Sequence, residues 1–140
     1  MKLGVAEILK LAAETKGTEQ KIEVLRKHYN PTLGTILKYA LDPSVKWDLP
    51  EGDPPYKQNE YPDQQGVLYT EARRLYLFLE GGNNNLTKLR RETLFIQFLE
   101  NLDPQDAKVI LAAKDKKLPF KGLTLKLIEQ AYPGLLPKGE

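Results

Sequence analysis

The stretch K-V-I-L-A-A-K-D-K-K-L-P-F-K-G-L-T-L-K-L-I-E-Q-A-Y-P-G-L-L-P, from Lys108 to Pro137, decides how the chain is read. An apolar run ends in a lysine cluster, a Pro/Gly loop interrupts it at Pro119 and Gly122, and a second apolar run opens at Thr124 and closes at Pro133. Thr before an apolar run is a helix-start signal and Pro after one is a stop, so the stretch predicts two helices joined by a short loop. Ammonium groups follow the first helix, and the unpaired N–H groups of a helix start face them. That combination suits a phosphate group.

Working outward, the same periodicity recurs. Val5, Ile8, Leu9 and Ala12 predict a helix over residues 3–15, with Lys16-Gly17 as its break. Thr18 is the expected N-cap of a second helix that runs to about His28, with Ile22, Leu25 and Tyr29 on one face. Asn30-Pro31 is a cap followed by proline at the first helical position, and Leu33, Ile36, Leu37, Ala40 and Leu41 form the next stripe. A helix from about Val67 would bury Leu68, Ala72, Leu75, Tyr76 and Leu79 before Gly81-Gly82 stops it. Another starts between Asn85 and Lys88, buries Leu94, Phe95 and Phe98, and ends near Asn101; Asp103-Pro104 opens the one that reaches about Lys116. No stretch alternates as a strand would. The expectation is an all-α, compact bundle of about seven helices, one helical domain over residues 1–140.

Residues 42–66 break the pattern. They are rich in proline and acids and have no apolar period, which predicts a long loop or insert within the domain. Trp47, Tyr56 and Tyr61 would pin it to the helices. The formal charge at pH 7 is only +2, but it is unevenly spread: residues 42–66 carry six acids against two lysines, whereas residues 1–41 and 105–140 each carry seven Lys/Arg against four Asp/Glu.

Composition removes several chemistries. With one histidine and no cysteine, Cys/His zinc sites and Cys–His nucleophile pairs are excluded, and no phosphate-binding G-x-x-x-x-G-K-[ST] loop occurs. His28, at a helix end, is expected to serve local carbonyls. Asp48, Glu51 and Asp53 around Gly52 could hold a divalent cation, but a Pro-rich loop is a poor scaffold for metal geometry and a solvated acidic loop fits better. The expectation is no catalysis, no cofactor, no metal and no membrane span.

The candidate phosphate contacts are Lys114, Lys116, Lys117, Lys121 and Lys126, with Gly122 allowing close backbone approach and Thr124 offering a hydroxyl. Lys16, Thr18 and Lys21 repeat the ingredients at an earlier helix start. As solvated charge beside helix ends, the same residues would need no ligand.

Two segments carry a family likeness. The N-terminal L-A-A-E-T-K-G-T-E-Q-K-I-E-V-L-R-K, the Leu-rich helix after it and the A-L-D-P turn at Ala40–Pro43 resemble the start of ATP-dependent DNA ligases, nearest to the small ligases of T-even-like phages. The lysine-bearing helix, Gly-containing loop, last helix and exit Pro133-Gly134-Leu135-Leu136-Pro137 resemble the end of the same N-terminal DNA-binding domain. The Pro-rich acidic segment is the main departure. The resemblance implies an all-helical domain that grips double-stranded DNA through phosphates and the minor groove without reading sequence. The K-x-D-G motif of the ligase nucleotidyltransferase domain occurs nowhere in the chain, so ligation is not implied.

Together these readings predict a non-catalytic, free-standing phage protein that binds double-stranded DNA in the cytoplasm of an infected host cell. The alternative is a protein-interaction module that holds a host or phage protein through Trp47, Asp48, Glu51, Asp53, Tyr56 and Tyr61.

Overall fold

A computed structural model describes residues 3–50, 54–59, 67–82 and 85–135. Seven α-helices are formed by the described residues: α1 Val5–Glu14, α2 Thr18–Lys27, α3 Pro31–Leu41, α4 Val67–Glu71, α5 Lys88–Asn101, α6 Pro104–Lys114 and α7 Leu125–Ala131. A 3-10 helix, Ala72–Phe78, continues α4. No strand occurs among the described residues; the nearest approach is a single antiparallel bridge between Trp47 and Leu79.

The starts follow local chemistry. Asn30, Thr87, Asp103 and Thr124 each accept a hydrogen bond from a backbone N–H in the first turn of the helix they precede. Proline takes the first position of α3 and α6. Gly4 opens α1, its N–H donating to Glu7 Oε1 at 3.0 Å. The expected cap at Thr18 moves by one residue. Gly17 is the N-cap, with φ 91°, and Thr18 is the first helical residue with no capping role.

Helix α6 is the centre. Ala107, Val109, Ile110, Leu111 and Ala113 are all buried, so it is apolar nearly all round, as a helix enclosed by others must be. It packs against α1, α3 and α5, while α2 lies against α1 and α7. The buried side chains form one cluster in which Phe78 meets Phe95 and Phe98 edge-on, at ring separations of 5.1 and 5.6 Å.

The segment after α4 departs from its expected form. Its burial follows a period of three, with Leu75 and Phe78 inside and Tyr76 exposed, whereas an α-helical stripe would have taken Tyr76 and Leu79 inward. A 3-10 helix eclipses i and i+3, and A-R-R-L-Y-L-F places Ala72, Leu75 and Phe78 at that spacing. Tyr29 is also displaced from its expected place. It lies beyond the end of α2, half exposed, edge-on against Tyr132 at 5.0 Å.

Candidate nucleic-acid interface

The 42–66 segment enters the site first because it fixes two of the lysines. Its described part is a strap. The Trp47 indole N–H donates to Tyr39 O at 3.0 Å, and the Asp48 and Glu80 N–H groups donate to Phe78 O and Lys46 O, each at 2.8 Å. Asp48 Oδ2 lies 3.0 Å from Arg91 Nη1. Tyr56 packs against the core, and the Lys57 N–H donates to Glu100 Oε2 at 2.9 Å. Glu51, Asp53 and Tyr61, the remaining members of the expected acidic aromatic contact, lie outside the described residues.

Of the C-terminal lysines, two are committed to holding that strap. Lys114 is buried at the end of α6; its ammonium donates to Pro50 O at 3.1 Å and pairs with Asp115 Oδ1 at 2.8 Å. Lys116 reaches three carbonyls, Tyr39 O at 2.8 Å, Asp42 O at 2.7 Å and Val45 O at 2.8 Å. It thereby closes the C-terminal end of α3, where helix carbonyls lack intrahelical donors. Burial pushes the Lys116 ammonium below the ordinary lysine value, opposed by the Asp42 carboxylate. The same turn holds Asp42 in the ionised form. Its carboxyl accepts from the Ser44 hydroxyl and N–H, and is held below the usual aspartate value chiefly by those bonds. The ammoniums of Lys114 and Lys116, both expected as phosphate contacts, thus already face protein oxygens: Pro50 O and the Asp115 carboxylate for the first, three carbonyls for the second.

Lys21 is a third internal donor. Its ammonium bonds Gly122 O at 2.8 Å and Ala13 O at 3.3 Å, so it joins the last turn of α1 to the loop before α7. Gly122 has φ 96°, and a Cβ there would stand 2.7 Å from Ala13 O and 2.9 Å from Lys21 Nζ. Only glycine fits this seam. The close approach foreseen for Gly122 is real, but the approaching group is protein backbone.

Thr124 is exposed, and its oxygen accepts the Leu127 N–H at 3.1 Å. The helix it caps has only seven residues, which limits the dipole on which the phosphate argument leaned. The far end of α7 is closed by Arg26, which donates to Gln130 O and Ala131 O, each at 3.0 Å.

Lys16, Lys117, Lys121 and Lys126 remain exposed, their ammonium groups with no ion-pair or hydrogen-bond partner among the described residues. The two lysine groups that were separate in the sequence are thus sorted differently in space. Lys121 precedes Gly122 of the Lys21 seam in the chain, Lys16 lies in the turn between α1 and α2, and Lys117 lies with Lys114 and Lys116 beside residues 43–50. The exit stretch is only partly within view, since Leu136 and Pro137 lie outside the described residues.

The sequence groups Lys88, Arg90 and Arg91 near one helix start, where a salt bridge is one expected partner, and of the three it is Arg91 that makes one among the described residues, with Asp48. Arg91 is buried, its Nε donating to Leu77 O at 3.1 Å and its Nη2 to Leu86 O at 3.3 Å, beside the Asp48 pair. Its near-neighbour Arg90 is exposed, and nothing in the residue string separates the two.

Fold and site define an all-α bundle whose irregular segments are fastened by lysine and arginine donors to backbone carbonyls. The chain belongs to a family of unknown function, DUF6433, which matches residues 8–119. No curated protein and no solved structure matches it. No helix among the described residues is long and apolar enough to cross a membrane.

Proposed function

We propose that the protein is a non-catalytic binder of double-stranded DNA, held to the phosphate backbone without sequence readout by Lys16, Lys117, Lys121 and Lys126. The observation that carries the reading is the seam at Lys21, whose ammonium bonds backbone carbonyls of both the last turn of α1 and the loop before α7. Lys16, between Ala13 and Lys21 in the chain, and Lys121, next to Gly122, are both exposed, and neither has an acid paired with it among the described residues. The likeness of the chain's two ends to ligase DNA-binding domains supports the same reading and supplies its phage setting. The alternative of a protein partner held by the acidic aromatic segment draws less support, because the Trp47 N–H and the Asp48 carboxylate are engaged within the fold.

Gel shift on random duplex across a salt series tests the proposal. Four neutralised phosphates give a log–log slope of about −3 to −4. Failure to shift duplex at about 50 mM salt, where this electrostatic term is large, overturns it.

A further inference from the structure

A cleft of about 660 Å³ opens between residues 43–50 and the C-terminal end of α6. Its size falls within the range of about 300–1,000 Å³ common for small-molecule sites. Residues 43–50 supply apolar surface from Trp47, Leu49 and two prolines together with Lys46; the end of α6 and the turn after it supply Lys114, Lys116 and Lys117 against the single carboxylate of Asp115.

The lysines divide the work. Lys114 and Lys116 bond carbonyls of the strap and of the α3 terminus, so they build the walls while keeping their charge in the cleft. Lys46 and Lys117 are exposed, and their ammonium groups have no partner among the described residues. The strap is tied to Phe78 and Glu80 on its other edge by two backbone hydrogen bonds of 2.8 Å. A site held in this way is ordered before a ligand arrives, which lowers the entropy cost of binding.

Trp47 defines the other half of the chemistry. Its indole N–H is engaged by Tyr39 O, and its ring stands edge-on to Tyr39 at 6.3 Å. What the half-buried ring has left to offer is apolar surface, suited to stacking a flat aromatic body. The free ammoniums beside it suit an anionic oxygen cluster. We propose that this cleft binds a nucleoside phosphate, with its base against Trp47 and its phosphate between Lys46 and Lys117. The ligand is a free mononucleotide or the end of a nucleic-acid strand. The inference shares Lys117 with the duplex reading but rests on the cleft, and it stands or falls separately.

Trp47 is the sole tryptophan of the chain, so its fluorescence, excited at wavelengths that tyrosine does not absorb, reports on this cleft. The full chain is titrated with adenosine monophosphate, with a short single-stranded oligonucleotide, and with inorganic phosphate at matched ionic strength. Saturable quenching by the mononucleotide is expected, with phosphate alone at least about tenfold weaker. Quenching by the oligonucleotide but not the mononucleotide assigns the same pocket to a strand end. Lys46→Gln, a change at an exposed side chain outside the duplex contacts, is expected to weaken the nucleotide by about tenfold and leave duplex gel shift unaltered. The inference is overturned if neither nucleotide ligand gives a saturable change, if phosphate alone binds as tightly, or if Lys46→Gln titrates like the parent. A positive titration beside a failed gel shift removes the duplex reading and keeps this one.

Discussion

Asp106 Oδ1 accepts the Ala6 N–H at 2.9 Å, tying the first turn of α6 to the first turn of α1 across most of the chain. The carboxylate is fully buried, and its second oxygen has no hydrogen-bond partner among the described residues. Burial is the main force raising its pKa to about 6; the Ala6 N–H opposes it, and the Asp103 and Glu7 carboxylates add to it. Tyr69 faces the same acids from α4 and is itself raised, first by burial.

The raised value has a definite sign for stability. The folded state holds the Asp106 proton more tightly than the unfolded chain, whose value is near 3.8. Stability from this group is therefore greatest below about pH 4 and falls as pH rises to about 6, above which the full penalty is borne. The difference is on the order of 2–3 kcal/mol. Urea melts of the parent and Asp106→Asn between pH 5 and pH 7.5 check this. The parent is expected to lose stability relative to the variant as pH rises, and parallel profiles would show that Asp106 stays ionised throughout.

Lys116 gives a backbone prediction. Its φ of 61° is left-handed, an unfavourable state for a residue with a Cβ, and the three carbonyls it reaches are what hold it there. Lys116→Ala loses the ammonium and keeps the strain, at a cost of about 1–2 kcal/mol for partly exposed, charge-assisted bonds. Lys116→Gly loses the same bonds but relieves the backbone, so it is expected to be about 1 kcal/mol more stable than the alanine variant. Equal denaturation midpoints for the two would show that the left-handed turn carries no strain.

These two residues also mark the limit of what a sequence can disclose. The helices were legible because apolar spacing and caps act within one turn: Val5, Ile8, Leu9 and Ala12 are all buried, and Asn30, Asp103 and Thr124 all cap. The lysines were not, because a cation after a helix end has the same local appearance whether it meets solvent or carbonyls more than 70 residues away. One signal was available. Helix α3 ends at Leu41 before Asp42-Pro43 with no glycine to form a left-handed cap, so its last carbonyls need donors from elsewhere. The three-residue spacing of Ala72, Leu75 and Phe78 was likewise present, and a stripe drawn at α-helical period passed over it.

The Arg91–Asp48 pair is expected to be energetically lopsided. Asp48 has a side chain 46% exposed and is solvated when alone, whereas the Arg91 side chain is 7% exposed and also serves Leu77 O and Leu86 O. Asp48→Ala should cost less than about 1 kcal/mol, as for an exposed pair whose partner keeps other acceptors. Arg91→Ala should cost about 3 kcal/mol or more, since it strips the donors from a buried turn. Thermal melts of both single variants and the double variant measure the asymmetry; similar losses for the two singles would contradict it.

The division of lysines into structural and exposed groups separates binding from stability. Lys16→Gln and Lys121→Gln change exposed side chains without partners among the described residues, so their melting temperatures should stay near that of the parent. Each should flatten the duplex salt slope by about 0.9 if it contacts one phosphate. Lys114→Met removes a buried ammonium from Pro50 O and strands Asp115, so it should lower the melting temperature. Gly122→Ala should do the same for a different reason, because its Cβ would press on Ala13 O and Lys21 Nζ and force the two basic segments apart. That variant should therefore lose duplex affinity although no charge has been removed. Comparing it with Lys121→Gln at equal salt distinguishes a contact from a scaffold: a weakened Gly122→Ala that keeps the parental slope places its defect in the seam, whereas unchanged affinity would mean that the seam does not organise the binding surface.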